Sequence, residues 1–439
     1  MTSYAGNLEE TYTRFSFEDF REWSVALIFM SSFFVKIEPA LTDLIGILAL
    51  FLFIRSGLHF SRYLVAPLLL LIIYLVAGLI SVIPIDMPGT HANNNSPFQY
   101  FFGLAYTSVT GVFIAAYISA NPMANYLKIE KAYWIGAVIG SLLGLAIYFQ
   151  IAPIFKAINS LGDNSLGFYD MRVRGGYKDP NVFSTWLVFP VISMMQALMI
   201  GRVRMTLISI GSFGVMLVAL LLAFSRGAWI DAFGAAILTI ILSVILTQSS
   251  ALRSRLVLLS FFGLIFFGLI LIMLLSVPSI ESVFLDRFVL VKQYDAGETG
   301  RFGNQLNSIP MLLLLPFGFG PYQFQEIFGG APHNTFLNAF AAAGWLGGVS
   351  YLLLFLTNVI IGLKLIFSRS KFQMFAITIY STLIVMTLQG LQIDNEHWRH
   401  LYWLMGMGWG LFVALREEQA RGEDPRDTSQ GWTLPTRRA

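Results

Sequence analysis

The sequence contains no cysteine and few charged residues. Asp, Glu, Lys and Arg make up 12% of its 439 residues, whereas hydrophobic residues make up 56%. The absence of cysteine excludes a disulfide framework, a thiolate metal site and a catalytic thiol. The shortage of charge excludes a water-soluble fold, because polar side chains could not cover its surface. The chain is therefore predicted to lie in a membrane.

Uncharged apolar runs recur along the chain between clusters of charge, Pro, Gly and Asn. A helix needs about 20 apolar residues to cross a hydrocarbon core of roughly 30 Å, and about twelve runs meet or approach that length. No basic region or cleavage site marks a signal peptide, so the first helix is expected to stay as an anchor. We predict an all-α, polytopic membrane protein with spans at 23–37, 40–55, 63–84, 99–120, 131–152, 182–200, 205–224, 228–248, 256–278, 345–364, 372–392 and 400–415.

The positions of Lys and Arg predict the orientation of these spans. With a cytoplasmic N-terminus, every short inner loop carries at least two basic residues, as the positive-inside rule requires. Both termini then lie in the cytoplasm of a multi-pass protein. The predicted organisation is a cytoplasmic segment at 1–22, helices one to nine at 23–278, a long periplasmic loop at 279–344 that holds the catalytic chemistry, helices ten to twelve at 345–415, and a disordered cytoplasmic tail at 416–439.

Several basic residues on the outer side lack a topological role: Arg172, Arg174, Lys178, Arg226, Arg287, Lys292 and Arg301. Arg226 stands in a very short outer turn, Phe224-Ser-Arg-Gly-Ala-Trp-Ile230. It could be an interface residue paired with Asp231, or part of an anion site in which guanidinium groups bind phosphate oxygens bidentately. Arg174 and Arg301 are further candidates for that site, with a solvated loop charge as the alternative for each. Convergent arginines would offset a lipid-linked diphosphate without a metal.

His333 stands in a junction before a helix-like run, Gly329-Gly-Ala-Pro-His-Asn-Thr335. Pro332 and the pair Asn334-Thr335 are typical of a helix start. A neutral imidazole there could take a proton from an attacking sugar hydroxyl, and a polar loop role is the alternative. The other histidines stand elsewhere: His59 on the inner side, His91 in an outer Asn-rich loop, and His397 and His400 at the outer start of the last span.

These residues together resemble the O-antigen ligase and polymerase superfamily of bacterial inner-membrane glycosyltransferases. The resemblance extends over about the middle and C-terminal two-thirds of the chain. Four motifs carry it: His333-Asn334 followed after nine residues by Gly344-Trp-Leu-Gly347, the Ser-Arg-Gly element around Arg226, Arg301 followed by Pro316-Phe-Gly-Phe-Gly320, and Arg174-Gly-Gly-Tyr-Lys-Asp-Pro-Asn181.

The resemblance implies transfer of a glycan from undecaprenyl diphosphate to a lipid A-core or other glycan acceptor on the periplasmic face. Neither a metal nor another cofactor is implied, and no nucleic-acid partner is expected. His333 would activate the acceptor hydroxyl, and Arg226 and Arg301 would hold the diphosphate, with Arg174 as a third contact and Arg287 as an alternative to Arg301. Direct displacement predicts inversion at the anomeric carbon. Supporting roles are implied for Asn334, Asn181, Gly344 and Gly347.

The sequence is also compatible with other functions. A polysaccharide polymerase would use the same donor, and a protein O-oligosaccharyltransferase would need extra C-terminal mass. A flippase or transporter is disfavoured because the spans are almost without charge apart from Asp231. A metal-dependent glycosyltransferase would need outer carboxylates, and Asp394-Asn-Glu396 is expected to decorate an outer turn instead. The carboxylates considered are Asp179, Asp295, Glu298, Asp394 and Glu396.

Overall fold

A computed structural model of the chain describes residues 16–54, 58, 60–83, 97–151, 153, 167–169, 172–287, 297, 300–424 and 426. The described residues are mostly helical. The helices are α1 (Phe17–Ser31), α2 (Leu41–Ile54), α3 (Val65–Val82), α4 (Pro97–Ala120), α5 (Pro122–Tyr148), α6 (Pro180–Met199), α7 (Leu207–Leu222), α8 (Arg226–Leu246), α9 (Ser250–Leu275), α10 (Pro278–Arg287), α11 (Arg301–Leu314), α12 (Gln323–Phe328), α13 (Thr335–Ile366), α14 (Gln373–Gln389) and α15 (Arg399–Ala420).

The helical architecture agrees with the all-α prediction and includes one short antiparallel hairpin, formed by β1 (Gly167–Tyr169) and β2 (Arg172–Gly175). The hairpin precedes α6. It lies between the predicted spans at 131–152 and 182–200. The predictions made for His59, His91, Lys292, Asp295 and Glu298 fall outside the described residues.

Every predicted span overlaps with a helix. Within the described ranges, seven helices are long and apolar enough to cross a membrane, and three shorter apolar helices accompany them. The mostly helical, polytopic membrane architecture is confirmed, whereas the number of twelve spans stays a prediction. The seven are Arg62–Val82, Pro97–Ala120, Pro122–Tyr148, Pro180–Met199, Arg226–Leu246, Ser250–Leu275 and Thr335–Ile366.

Helix packing places α6 in the interior and α9 at the periphery. Nearly all side chains of α6 are buried, whereas α9 buries only Leu256, Ile270 and Leu274 among its described residues. Small residues let other helices approach closely. Gly111 of α4 meets Gly406 of α15 so tightly that a Cβ at position 406 would lie 2.3 Å from the Gly111 carbonyl oxygen. An aromatic interior surrounds these contacts.

Charged side chains gather at the two ends of the bundle. At one end, basic residues predicted to lie inside are paired with carboxylates: Lys128 with Glu22, Arg202 with Glu130, and Lys371 with Glu418. The opposite end, called here the site end, is formed by segments 32–40, 172–179, 223–226, 329–334 and 390–399.

Direct contacts join these segments of the site end to one another. The Val35 amide donates to the Gly176 carbonyl over 2.9 Å, and the Arg172 guanidinium donates to the Ala223 carbonyl over 2.8 Å. Arg399 donates to both carboxylate oxygens of Asp43, each over 2.6 Å. The long connections therefore form a packed cap over one end of the helices.

Several helix boundaries differ from the prediction, and three of them have a clear physical reason. Helix α5 begins at Pro122 rather than at 131, since Asn121-Pro122 starts it and Lys128 extends from its second turn to Glu22. Helix α1 begins at Phe17 because Ser16 and Asp19 form a capping box. Helix α15 continues to Ala420, past the predicted start of the tail at 416, and Glu418 is held there by Lys371 at 3.0 Å.

The segment predicted as a loop at 279–344 contains α10, α11, α12 and the first part of α13. Helix α13 begins at Thr335, ten residues before the predicted span, and its backbone leaves the helical conformation at Gly344, where φ is 65°. The stretch Pro316–Gly320 packs into this break. The amides of Phe319 and Gly320 donate to the Ala341 carbonyl over 2.8 and 2.9 Å, and the Trp345 amide donates to the Pro316 carbonyl over 2.9 Å.

This break explains the glycine at position 344. A Cβ there would lie 2.4 Å from the Pro316 carbonyl oxygen, and the positive φ disfavours any L side chain. The Pro-x-Gly-x-Gly motif and the first glycine of the Gly344-Trp-Leu-Gly347 motif are therefore two halves of one interlock. Gly347, one turn later, faces Tyr74 and Ala77 of α3.

We predict that Gly344→Ala destabilises the protein, because a backbone with φ 65° and ψ −168° is essentially restricted to glycine and costs about 1–3 kcal/mol for another residue, and the clash with Pro316 adds to it. The measurement is the melting temperature of the purified protein in detergent. Gly263→Ala in α9 is the matched control, since a Cβ there meets no atom within 4 Å and alanine favours the helix. Equal melting temperatures for the Gly344 variant and the wild type would contradict the interlock.

Candidate active site

The junction before α13 holds His333 in a defined backbone conformation. Asn334 caps the helix, and its Oδ1 accepts a hydrogen bond from the Leu337 amide over 3.1 Å. This is the helix start expected from the sequence. His333 has a φ of 48°, in the left-handed region that non-glycine residues rarely adopt. Its side chain is 48% exposed, so the imidazole lies at the surface of the site end.

Asp394 fixes the backbone of this junction. Its Oδ2 accepts from the His333 amide over 3.0 Å, and its Oδ1 accepts from the Asn334 amide over 2.9 Å. A carboxylate is favoured at a helix N-terminus, where amide groups otherwise lack partners. The same Oδ2 lies 4.0 Å from Nδ1 of the His333 ring. Asp394 therefore both holds the His333 backbone and places its carboxyl group beside the imidazole.

Thr335 joins the junction to the connection between α14 and α15. Its amide donates to the Gly390 carbonyl over 2.6 Å, and its hydroxyl accepts from the Asn395 amide over 2.8 Å. Asn395 in turn donates to the Met386 carbonyl over 2.6 Å. Thr335 and Asn395 are each 1% exposed, so this contact is a buried lock.

A second polar group lies behind the lock, around the buried carboxylate of Glu396. Asn338 donates to its Oε1 over 2.6 Å and Tyr100 donates to the same oxygen over 3.1 Å. His397 places Nδ1 3.5 Å from it and packs edge-on against the Tyr100 ring. The expectation that Asp394 and Glu396 decorate an outer turn is therefore wrong, because both side chains turn inward to the His333 junction.

The two carboxylates differ in their acidity. Burial and the negative charge of Glu396 raise the pKa of Asp394 to about 7, against the two amide hydrogen bonds that lower it. Burial also acts to raise the pKa of Glu396, but the hydrogen bond and charge of His397 outweigh it and the pKa lies below its usual value. At neutral pH Glu396 is thus ionised, whereas Asp394 is protonated in part of the molecules and ionised in the rest.

A cavity of about 170 Å³ opens beside the junction. Asp394, Glu396 and His397 supply one polar wall, and Asn338 stands next to them. The opposite wall is aromatic and apolar. Its residues are Tyr100, Tyr322, Phe324, Ala331 and Pro332. A mixed lining of this kind is typical of a site that binds a small organic group.

Arg301 reaches the junction through its helix. It is the first residue of α11, and the same helix face donates to the segment that precedes His333. Gln305 donates to the Pro332 carbonyl over 2.7 Å, and Asn304 donates to the Phe328 carbonyl over 3.0 Å. Residues three and four positions apart share one helix face. Arg301 therefore stands on the side of α11 that faces the His333 segment.

Arg226 is the first residue of α8, and its neighbours contact the end of α14. Ser225 caps this helix, with its hydroxyl accepting from the Ala228 amide over 3.4 Å. Gly227 packs against Gln389, the last residue of α14, which leads into Gly390 and the Thr335 contact. The alternative of a pair with Asp231 is not supported, because Asp231 is 1% exposed and its Oδ2 accepts no hydrogen bond from any residue in the described ranges.

The hairpin residues singled out from the sequence are buried. Arg174 is 3% exposed and donates to the Lys178 carbonyl over 3.2 Å. Asn181 uses its Oδ1 to accept from Arg172 over 2.7 Å, and Arg172 also holds the Ala223 carbonyl directly before the Arg226 turn. These contacts tie the hairpin to that turn. They give Asn181 a clear structural partner, whereas Arg226 and Arg301 stand at partly exposed positions.

No group of three or more His, Asp or Glu side chains among the described residues is arranged to hold a metal ion.

Residues 211–352, about a third of the chain, match the family described as O-antigen ligase. Neither a curated protein nor a solved structure gives a significant match. The matched region runs from α7 through the first half of α13, so it includes Arg226, Arg301, His333 and the break at Gly344. The match confirms the resemblance to the O-antigen ligase and polymerase superfamily, and it indicates a function of the ligase or polymerase type that acts on lipid-linked glycans in a membrane.

The acidity of Asp394 predicts a specific pH dependence of stability. Because its pKa is raised from 3.8 to about 7 in the folded protein, the native state keeps a proton that the unfolded chain has lost between these values. The free energy of unfolding therefore falls as the pH rises through this window. The Asp394→Asn variant lacks this contribution to the fall in the free energy of unfolding. Its melting temperature should therefore drop less than that of the wild type between about pH 5 and about pH 8.

Asp424→Asn provides the matched control for this measurement. Asp424 is exposed and paired with Arg426 near the C-terminus, so its variant should keep the full drop of the wild type. A full drop in Asp394→Asn as well would show that the carboxyl is not the group that titrates.

Proposed function

We propose that this chain, with its O-antigen ligase region, transfers a glycan from undecaprenyl diphosphate to a lipid A-core hydroxyl on the periplasmic face of the bacterial inner membrane. The observation that carries the proposal is the His333 junction. A half-exposed imidazole stands on a backbone fixed by Asp394, next to a cavity and within the region that matches the ligase family. Both termini are proposed to lie in the cytoplasm.

His333 acts as the base in this proposal. Its imidazole takes the proton of the acceptor hydroxyl while the hydroxyl oxygen forms a bond to the anomeric carbon of the donor. The bond from that carbon to the diphosphate oxygen breaks in the same displacement, and the configuration inverts. Asp394, 4.0 Å from Nδ1, stabilises the imidazolium that forms. The lipid diphosphate leaves with the electron pair.

Arg226 and Arg301 bind the departing diphosphate. Guanidinium groups match phosphate oxygens bidentately, and their charge offsets the negative charge that develops on the leaving group. Both residues begin a helix, and helix N-termini also favour anions. Arg174 is buried in the hairpin, so in this proposal it adds positive charge from behind the surface. Arg287, at the end of α10, is the alternative second contact.

A polymerase that extends a second lipid-linked glycan is the second candidate, since the family match includes both activities. The arrangement of His333, Arg226 and Arg301 serves either acceptor, because each presents a hydroxyl to the same donor. Export of lipid-linked sugars without chemistry is a more distant candidate. Export alone would give no role to His333 as a base beside a cavity.

We predict that His333→Ala lowers kcat for glycan transfer by about 10²–10⁴-fold, the usual contribution of a general base. The assay uses purified protein, lipid-linked donor and acceptor, with a chelator present. Melting temperature is recorded in parallel to verify folding. Activity close to that of the wild type in this variant would remove His333 as the base, and activity that returns only on adding a divalent ion would favour a carboxylate-bound metal.

The phosphate contacts are tested by Arg301→Lys and Arg226→Lys, which keep the charge but lose the bidentate geometry. Each should reduce transfer, and Arg421→Lys in the exposed C-terminal segment is the matched control. Its side chain is paired with Glu423 far from the site end. Equal activity in all three variants would contradict the diphosphate role.

Deletion of the gene separates the candidate functions. Lipopolysaccharide without O-chains, with the lipid-linked polymer still made, indicates a ligase. Lipopolysaccharide that carries a single repeat indicates a polymerase. Lipid-linked glycan that accumulates in the inner leaflet indicates a flippase and would overturn the proposal.

A further inference from the structure

A second cavity, of about 210 Å³, opens at the site end next to the first and shares His397 with it. Its walls come from the connection between α1 and α2, the residues before and at the start of α6, and the start of α15. His333, Arg226 and Arg301 do not line it. The cavity is thus a separate compartment, one side chain away from the candidate active site.

Four aromatic side chains line this second cavity. Trp186, Trp398, Trp403 and Tyr177 line it, and the centroids of the Tyr177 and Trp186 rings are 5.4 Å apart. The Tyr177 hydroxyl donates to the Ser32 carbonyl over 2.8 Å, so its polar atom is already engaged. Flat apolar rings beside a few polar groups are suited to a ligand that has both C–H faces and hydroxyl groups.

Two residues of this lining each carry a buried nitrogen atom that lacks a partner. Nε1 of Trp186 and Nε2 of His400 form no hydrogen bond within the described part of the chain, although the two residues are only 1% and 3% exposed. A buried polar group without a partner costs about 1–3 kcal/mol. A ligand oxygen that accepts from Trp186, and a ligand hydroxyl that bonds to His400, would remove this cost.

The charged groups of the lining are balanced. Lys178 pairs with Glu38 at 3.2 Å, and Arg399 pairs with both oxygens of Asp43 at 2.6 Å. Asp179 accepts from the Asn181 amide over 2.7 Å. The lining therefore has no excess of positive charge to attract a phosphate, and an uncharged ligand fits it better than an anion.

We propose that the second cavity is a subsite for an uncharged pyranose ring of a substrate glycan, with the ring against the tryptophans and its oxygens bonded to Trp186 and His400. This inference rests on the proposed function, since it assigns a sugar to a compartment beside the transfer site. The same chemistry is present in the donor glycan and in the acceptor glycan. Separate KM values for the donor and the acceptor distinguish the two sources.

Trp186→Phe removes the indole N–H and keeps an aromatic ring. It should raise KM for one of the two glycan substrates by about 3- to 10-fold, the usual worth of one hydrogen bond, and leave kcat within about twofold. KM is measured separately for donor and acceptor. A rise for the donor alone assigns the subsite to the donor glycan, and a rise for the acceptor alone assigns it to the acceptor.

Trp134→Phe is the matched control. Its Nε1 donates to Ser193 over 2.7 Å near Arg202, at the other end of the bundle, so this variant loses an N–H without touching the cavity and should keep both KM values. Val182→Phe is a second test, because it adds a ring to the same cavity without removing a donor. It should raise the same KM as Trp186→Phe does.

Binding of free glycan is a readout that does not need transfer. The glycan released by mild acid from the purified lipid-linked donor, and separately the acceptor oligosaccharide, should bind more weakly to Trp186→Phe than to the wild type in saturation-transfer NMR. Unchanged KM values and unchanged binding in both cavity variants, with transfer intact in the wild type, would overturn the subsite and leave the proposed function standing. If the wild type showed no transfer activity but bound glycan through Trp186, the subsite would stand and the proposed function would be overturned.

Discussion

The site end depends on how the amide groups at the start of α13 are satisfied. A helix N-terminus exposes several amides without intrahelical partners, and near a membrane water does not reliably serve them. The carboxylate of Asp394 accepts from two of them, at His333 and Asn334. Each of these hydrogen bonds contributes about 0.5–1.5 kcal/mol when Asp394 is protonated and about 1.5–3 kcal/mol when it is ionised. That contribution offsets the left-handed backbone at His333, which would otherwise relax and carry the imidazole away.

A second constraint positions the arginine that the proposal pairs with His333. The break in α13 at Gly344 receives the Pro316–Gly320 stretch, and this stretch follows α11 directly. The start of α11 is thereby held against the segment at 328–332 through Asn304 and Gln305. Arg301 and His333 are 32 positions apart in the sequence. The interlock holds the segments that carry them in a fixed arrangement.

Local patterns in the sequence were sufficient for most of the fold and for the helix start at Asn334. Apolar runs identify helices because each run must face lipid or other helices, and the Asn cap is a short-range signal. Local sequence patterns did not predict the contacts between residues that are far apart in the chain. Asp394 and Glu396 lie about 60 positions after the residues they hold, so nothing beside them in the chain marks them as part of the junction. The helix before Gly344 was missed because the break there looks like a boundary, and the burial of Arg174 depends on a hairpin that its glycine-rich sequence does not show.

The two carboxylates near His333 differ in protonation state and have different roles in the proposed reaction. His397 keeps Glu396 ionised, and burial together with the charge of Glu396 raises the pKa of Asp394 to about 7. Paired groups whose acidities are pushed apart in this way take different roles. Once His333 accepts a proton, its imidazolium lies 4.0 Å from Asp394, and that positive charge favours the ionised carboxylate. The proton gained by the base and the proton lost by Asp394 are therefore linked. His397 contacts both the cavity beside His333 and the aromatic cavity, so occupation of the second by a sugar would act on the first through the ring that sets the charge of Glu396.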